Sequence, residues 1–185
     1  MFFGVMMDGL AIFFGGLIGL LFNKGIPEQL EKAIMKAVAF SAIYIGIRGM
    51  STGENTIFII LAMVLGVLIG ELLQIDDKIN RLANRVAKRI TRKNSDSTFA
   101  EGFITGSLIM GVGALSIMGP IESGLTGTHG IMMTNAVIDG FTSIVLASSL
   151  GIGVVFSAIP VFLYEAMIVI FAGNLNTLLT EVMIN

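Results

Sequence analysis

The sequence predicts an all-α integral membrane protein, a polytopic helix bundle of about six spans. Hydrophobic residues make up 55% of its 185 residues and charged residues only 13%, whereas a soluble domain carries about 25% charged residues. A soluble chain of this length could not hide so much apolar surface from water, but a lipid bilayer solvates that surface directly. We therefore interpret residues 1–185 as a single transmembrane domain.

Six apolar segments approach the roughly 20 residues that a helix needs to cross about 30 Å of hydrocarbon. The first of them lacks the basic region and small-residue cleavage site of a signal peptide, so we expect it to remain as a span. In chain order, the candidate spans cover residues 5–22, 34–50, 56–73, 99–119, 134–156 and 160–179.

One clearly polar segment, residues 75–98, separates the third and fourth candidate spans and carries seven of the eleven Lys and Arg residues. Basic loops stay in the cytoplasm, so we expect residues 76–93 to be cytoplasmic and the protein to lie in a bacterial inner membrane. The helical spacing of its apolar residues predicts either an amphipathic helix on the inner leaflet or a short helix that only fixes the topology. Nucleic acid is not an expected partner, because the segment is short and has no aromatic residue. The residues expected to contact lipid headgroups are Arg81, Arg85, Lys88 and Arg89.

Glycine pairs interrupt two apolar segments in the C-terminal half of the chain. Gly111 and Gly113 form the first pair, Gly151 and Gly153 form the second, and a proline follows each pair at the same distance. Paired interrupted helices point to transporter binding sites near the middle of the bilayer, where freed carbonyl groups can coordinate a cation. Because consecutive spans run in opposite directions, the pattern predicts an inverted repeat of Gly/Pro-broken helices. Chance alignment is the alternative, since the chain has 23 glycines.

Acids inside a span are functional candidates, because a charge in hydrocarbon costs several kcal/mol. Asp139 and Glu165 each lie about two helical turns into a candidate span, and Asp8 lies near the start of the first. A polar stripe along a span must face protein or water. It either lines a path for a substrate or ion, or forms hydrogen bonds between helices with no role in transport. The stripe predicted on one helix face comprises Asn135, Asp139, Thr142, Ser149 and Gly153.

Two further pairs, Gly15/Gly19 and Gly66/Gly70, have the Gly-x-x-x-Gly spacing that lets helices pack closely in lipid. They predict either contacts between two copies of the chain, as in a homodimer, or packing within one chain. Besides the lipid bilayer, the expected partners are thus a second copy and a small ion or solute.

The residue types present argue against several kinds of chemistry. The chain has no cysteine and one histidine, which excludes disulfides, iron–sulfur clusters and thiolate metal sites. It contains no P-loop, no Gly-x-Ser-x-Gly elbow and no His-Glu-x-x-His motif. We therefore expect neither an enzyme nor a bound cofactor or metal.

Four pieces of the chain resemble a family of prokaryotic membrane proteins called domain of unknown function 554. They are GLAIFFGGLIGLLFNKGIPE, LGVLIGELLQID, FAEGFITGSLIMGVGALSIMGPIESGLTG and IDGFTSIVLASSLGIGVVFSAIPVFLYE. They occur in family order and cover most of the chain. The resemblance implies an inner-membrane protein with a suspected transport role and no agreed catalytic or binding residues. Two features differ from the family: its members usually continue for one or two Gly-rich spans beyond residues 178–185, and Asn is more usual where Asp8 stands.

These observations predict a transporter or channel for a small ion or solute, with its pathway between the Gly-broken spans 99–119 and 134–156. The alternative is a structural or lipid-associated membrane protein that transports nothing. The residues expected along the pathway are Asp139, Glu165, Asn135, Thr142, Ser149, Gly111, Gly113, Gly151 and Gly153.

Overall fold

The computed structural model describes residues 2–22, 25–51, 56–74, 78, 81 and 97–184. No β-strand occurs in these ranges, so the prediction of an all-α protein is confirmed for them. In chain order the helices are α1 (Phe3–Leu21), α2 (Glu28–Ser51), α3 (Thr56–Leu72), α4 (Ser97–Gly111), α5 (Ala114–Thr126), α6 (Gly130–Leu150), α7 (Gly153–Phe156) and α8 (Ala158–Ile184).

The central pair of helices, α1 and α6, run parallel to each other. Gly4 of α1 faces Met132, Gly15 faces the carbonyl group of Gly140, and Gly19 faces that of Ile144. The first Gly-x-x-x-Gly pair therefore lies in a contact within the chain, because only glycine lets the two backbones approach so closely.

The helix α8 runs antiparallel to α1, and the pair α4–α5 runs alongside α7–α8. Gly9 of α1 faces Phe162, and Gly16 faces Val155. On the other side of α7–α8, Gly106 faces Ser157 and Gly124 faces Val169. The result is a bundle of α1 and α4 to α8 in which α1 lies between α6 and α8.

Three described segments are long and apolar enough to cross a membrane, namely α1, α6 and Gly153–Leu175. A fourth follows if α4 and α5, which are bent by 57° relative to each other, form one span. The prediction of six spans is not confirmed. The described helix α3 has 17 residues, fewer than the roughly 20 needed, and the first turn of α2 contains Glu28 and Glu31.

The two glycine pairs break the helices in different ways. Gly113 precedes α5 in an extended conformation, inside the bent pair α4–α5. Gly151 has φ +73°, a conformation that favours glycine, and it ends α6 where the chain turns back toward α7 and α8. The second break thus joins two antiparallel spans instead of interrupting one, and the inverted repeat is not confirmed.

Two predicted span boundaries are wrong for related reasons. The span predicted to end at residue 156 ends at Leu150, because Gly151 turns the chain. The span predicted to end at residue 119 continues through Pro120 to Thr126. Proline is tolerated in transmembrane helices, where neighbouring groups satisfy the freed backbone carbonyl.

The helix α3 exposes most of its described apolar side chains. A Cβ atom added at Gly66 or Gly70 would have no described neighbour within 4 Å. The homodimer contact at this pair stays a prediction. Most of the basic segment, including Arg85, Lys88 and Arg89, lies outside the described residues. Arg81 is described and exposed.

We expect the substitution Gly15→Ala to lower the free energy of unfolding by about 1–3 kcal/mol, the usual cost of overpacking. The added methyl group would overlap the Ser143 hydroxyl oxygen and the carbonyl oxygen of Gly140, and a backbone atom cannot move aside as a flexible side chain can. Thermal unfolding of the purified protein in detergent measures the change.

The matched control is Gly66→Ala, at the same helical spacing in α3. Its methyl group meets no described atom within 4 Å, so we expect unchanged or slightly higher stability, since alanine favours helix over glycine by about 1 kcal/mol. Equal melting temperatures for the two variants would contradict the close packing of α1 on α6.

Candidate functional site

Three carboxylic acids from three helices meet inside the bundle, and we call Asp8, Asp139 and Glu165 the carboxyl cluster. Asp8 and Glu165 are 0% exposed and Asp139 is 5% exposed. Glu165 interacts electrostatically with both aspartates. Asp139 lies next to the midpoint of α6, and Glu165 lies next to the midpoint of the span Gly153–Leu175. The cluster therefore lies at the depth where a bilayer is most apolar.

The amide of Asn135 holds the cluster together. Its Nδ2 atom lies 3.0 Å from Asp139 Oδ2 and 3.3 Å from Asp8 Oδ1, as hydrogen-bond donor to both. Asn135 and Asp139 are four residues apart on α6, so their side chains share one helix face. A third acceptor, Ser116 Oγ, lies 3.3 Å from the same nitrogen, although an amide nitrogen carries only two hydrogens.

Ser116 connects the carboxyl cluster to the break between α4 and α5. Its hydroxyl group donates a hydrogen bond to the carbonyl oxygen of Met110 at 2.5 Å, across the interruption. Its oxygen therefore acts as an acceptor toward Asn135. Since Ser116 belongs to the first turn of α5, the positive end of that helix dipole lies beside the acids, as in transporters with discontinuous helices.

Three oxygen atoms of the carboxyl cluster are buried without a hydrogen-bond partner among the described residues. They are Asp8 Oδ2 and both carboxyl oxygens of Glu165. Buried polar atoms in native proteins nearly always have a partner, and leaving an ionised group without one is costly. The cluster is thus rich in acceptors and short of donors.

The helices around the carboxyl cluster supply no positive side chain. The sequences of α1 and α4 to α8 contain no Lys, Arg or His. His129 lies just before α6, where its Nδ1 is 3.0 Å from the Ser123 hydroxyl. Within the described ranges, no three His, Cys, Asp or Glu side chains are arranged to hold a metal ion. The site is suited to accept positive charge from outside the protein.

The predicted polar stripe continues only part of the way along α6. Asn135, Asp139 and Thr142 are buried, and the Thr142 hydroxyl donates to the carbonyl of Ile138 at 2.8 Å. Ser149 is exposed, and Gly153 lies beyond the end of the helix. The prediction that all five share one helix face is wrong for Gly153, because the chain turns at residue 151.

The four predicted pathway glycines do not come together. Gly111 and Gly113 lie beside Val161 and Ser116, respectively, close to the carboxyl cluster. Gly153 packs on the backbone of Phe99, at the beginning of α4, which is roughly 20 Å along the helix from the first break. Gly151 contributes its turn conformation at that same end.

The predicted pathway did not include two residues of this site, Asp8 and Ser116. Asp8 carried a usable signal, because an acid inside a span is rarely tolerated without a role. The resemblance to the family weakened it as an essential group, because Asn is more usual at that position, and only the parallel packing of α1 on α6 brings it to the level of Asn135. The sequence around Ser116 offers no such signal.

A cavity of about 820 Å³ lies between α2 and the α5–α6 connection. Its lining includes Arg48, Glu122 and Thr134, and Thr134 directly precedes Asn135. Glu122 also accepts a hydrogen bond from the backbone nitrogen of Ile131 at 3.0 Å, which fixes the start of α6. The cavity brings polar and charged groups to one end of the helix that carries the cluster.

The sequence matches the family described as "Protein of unknown function (DUF554)" over residues 3–185. It is 32% identical over 187 residues to the uncharacterized membrane protein YdfK of Bacillus subtilis (strain 168), covering 99% of this chain and 78% of YdfK. It is 25% identical over 165 residues to the uncharacterized protein YqgA of Escherichia coli (strain K12), covering 88% of this chain and 70% of YqgA. No solved structure matches.

Proposed function

Because this chain belongs to the DUF554 family of proteins of unknown function and is a membrane protein, we propose that it is a transporter or channel for a small ion or solute in a bacterial inner membrane. The basic segment 76–93 faces the cytoplasm in this proposal, as the distribution of Lys and Arg favours.

The observation that carries the proposal is the carboxyl cluster near the middle of the bundle. Burying an acid at that depth costs several kcal/mol, and the cluster holds three acids, two of which have unpartnered oxygens. A protein with a purely structural role gains nothing from this arrangement, since apolar side chains of similar size pack at least as stably as buried ionic groups. A binding site on a transport path explains why the cost is accepted.

The proposed path runs from the cavity beside α2 to the carboxyl cluster. Arg48, Glu122 and Thr134 line this cavity, and Thr134 directly precedes Asn135 of the cluster in the chain. Thr142 continues the buried polar face beyond Asp139. The break between α4 and α5 lies beside the cluster, where freed carbonyl groups and the start of α5 can contact the substrate.

The test is charge movement in proteoliposomes on a solid-supported membrane, challenged in turn with gradients of sodium, potassium, protons, chloride and fluoride. We expect one of these ions to evoke a current in the wild-type protein. Asp139→Asn and Glu165→Gln should abolish it, because each removes a charge from the path while nearly preserving side-chain shape.

The matched control is Glu101→Gln, which neutralises an exposed acid on α4 and should leave the current unchanged. A current that survives both cluster substitutions would contradict the proposed path. Silence of the folded wild-type protein toward all five ions would contradict electrogenic ion transport and favour a structural or lipid-associated role.

A further inference from the structure

We propose that the carboxyl cluster is a site for exchangeable protons, and that the proton is the ion that crosses or drives the transporter. The second half of this statement rests on the function proposed above. The first half concerns the chemistry of the site itself and can be tested without transport.

The balance of donors and acceptors supports this assignment. Three carboxylates offer six oxygen atoms, and the donor found among them is the Asn135 amide, which Ser116 also contacts. Asp8 Oδ2 and both Glu165 oxygens remain without a partner in the part of the chain that the structure describes. The shortage is one of hydrogen atoms, which protonation supplies directly.

The complete burial of Glu165 is a second observation. It is independent of the hydrogen bonds that Asn135 makes to the two aspartates. Glu165 enters from α8, a helix that contributes nothing to the Asn135 hydrogen bonds. Its carboxyl group lacks a described donor when ionised, yet it lies close enough to Asp8 for a hydrogen bond once one of the two is protonated, and it also interacts with Asp139. A proton on Glu165 converts its carboxylate into a carboxylic acid. The new O–H group is a donor that the neighbouring carboxylate oxygens lack.

The surrounding helices offer no competing source of positive charge. α1 and α6 each contain a single ionisable residue, which belongs to the cluster, and α7 contains none. Glu101 of α4 is exposed, and Glu122 of α5 accepts from the backbone of Ile131. The remaining ionisable residues of the bundle helices, both on α8, are Tyr164 and Glu181.

A proton fits this site better than a metal cation does. A metal ion needs several oxygen ligands at fixed distances, and no three described His, Cys, Asp or Glu side chains meet that condition. A proton requires one oxygen and no cavity. The apolar cavity of about 340 Å³ beside α1 and α6 includes none of the three acids in its lining.

The test is infrared difference spectroscopy of the full chain, recorded between acidic and alkaline buffer in H₂O and D₂O. We expect a C=O stretching band of a carboxylic acid. Its frequency should lie at the high end of the carboxylic-acid range, which marks a carbonyl group without hydrogen bonds. Glu165→Gln should remove this band, and Asp8→Asn or Asp139→Asn should shift it. Glu101→Gln, at an exposed acid, should leave it unchanged.

Two results would overturn the proposal. Identical difference spectra for the wild-type protein and Glu165→Gln would show that Glu165 exchanges no proton. Absence of the band at acidic pH in folded wild-type protein would show that the cluster takes no proton. If Glu165→Gln does not yield monodisperse helical protein, Glu165→Asp replaces it, and the expected result is then a displaced band.

The infrared result separates this inference from the proposed function. A band that depends on Glu165, in a protein that gives no current, would retain the proton site and refute transport. A current evoked by another ion, in a protein without the band, would retain transport and refute the proton site. A band that depends on Glu165, together with a current evoked by the proton gradient, would support the complete proposal.

Discussion

Asn135→Leu is expected to lower the free energy of unfolding by about 3 kcal/mol, because it removes hydrogen-bond donors from buried carboxyl groups. Leucine keeps the branched shape and the number of side-chain heavy atoms of asparagine, so we attribute most of the loss to the deleted amide. Asp139 Oδ2 and Asp8 Oδ1 both accept from the deleted amide, and the surrounding helices offer no basic side chain to replace it. Thermal or denaturant unfolding in detergent measures the effect.

The matched control is Asn174→Leu, at an exposed position on α8, where we expect a change close to zero. A double-mutant cycle identifies the mechanism. In an Asp8→Asn background the cost of Asn135→Leu should fall, because one of the acceptors no longer carries charge and brings a donor of its own. Additive costs would contradict direct coupling between Asn135 and Asp8.

Gly153→Ala is expected to destabilise the protein by about 3 kcal/mol, at the upper end of overpacking costs. The added methyl group would overlap the carbonyl oxygen of Phe99 and lie 2.7 Å from the backbone nitrogen of Phe103. Both obstacles are backbone atoms of α4, so relief requires the whole helix to shift. We expect the melting temperature of the variant to be lower than that of the wild-type protein.

Gly130→Ala provides the comparison, since Gly130 is also the first residue of a helix and an added methyl group there meets nothing within 4 Å. Its stability should be unchanged. If Gly153→Ala were equally harmless, the close contact between α4 and α7 would be wrong. If Gly153→Ala abolished transport while stability stayed intact, Gly153 would belong to the pathway and not to the packing.

That Asp139 and Glu165 lie inside spans was predictable from the sequence, because it depends on local pattern. Their depth was underestimated, because α6 begins at Gly130 and the span Gly153–Leu175 begins before Pro160, so both acids lie next to a midpoint. Their meeting with Asp8 was not predictable, because helix order in a bundle depends on side-chain packing across long sequence separations. The parallel contact of α1 with α6 depends on Gly15 and Gly19, which pack against α6. Gly66 and Gly70 have the same spacing but contact no other described helix.

The glycine breaks illustrate a second limit. Gly113 and Gly151 belong to the two similar Gly-x-Gly pairs, and both lie where a helix is interrupted. One allows a bend within a span and the other a reversal between spans, because the left-handed conformation of Gly151 turns the chain. Composition does not specify which backbone conformation a glycine adopts, so the sequence could locate the breaks but not their consequences for the proposed pathway.

The long separation between Asp8 and its partner constrains the order of events during synthesis. The hydrogen bond to Asn135 spans 127 positions in the chain, so α1 enters the membrane long before α6 and α8 exist. Until then Asp8 has neither its amide donor nor the neighbouring Glu165. Closing so distant a contact is slow, and chains with exposed unfinished surfaces are vulnerable to misassembly. Of the three acids, Asp8 therefore waits longest for its partners, and the cell must protect or tolerate it for the whole interval.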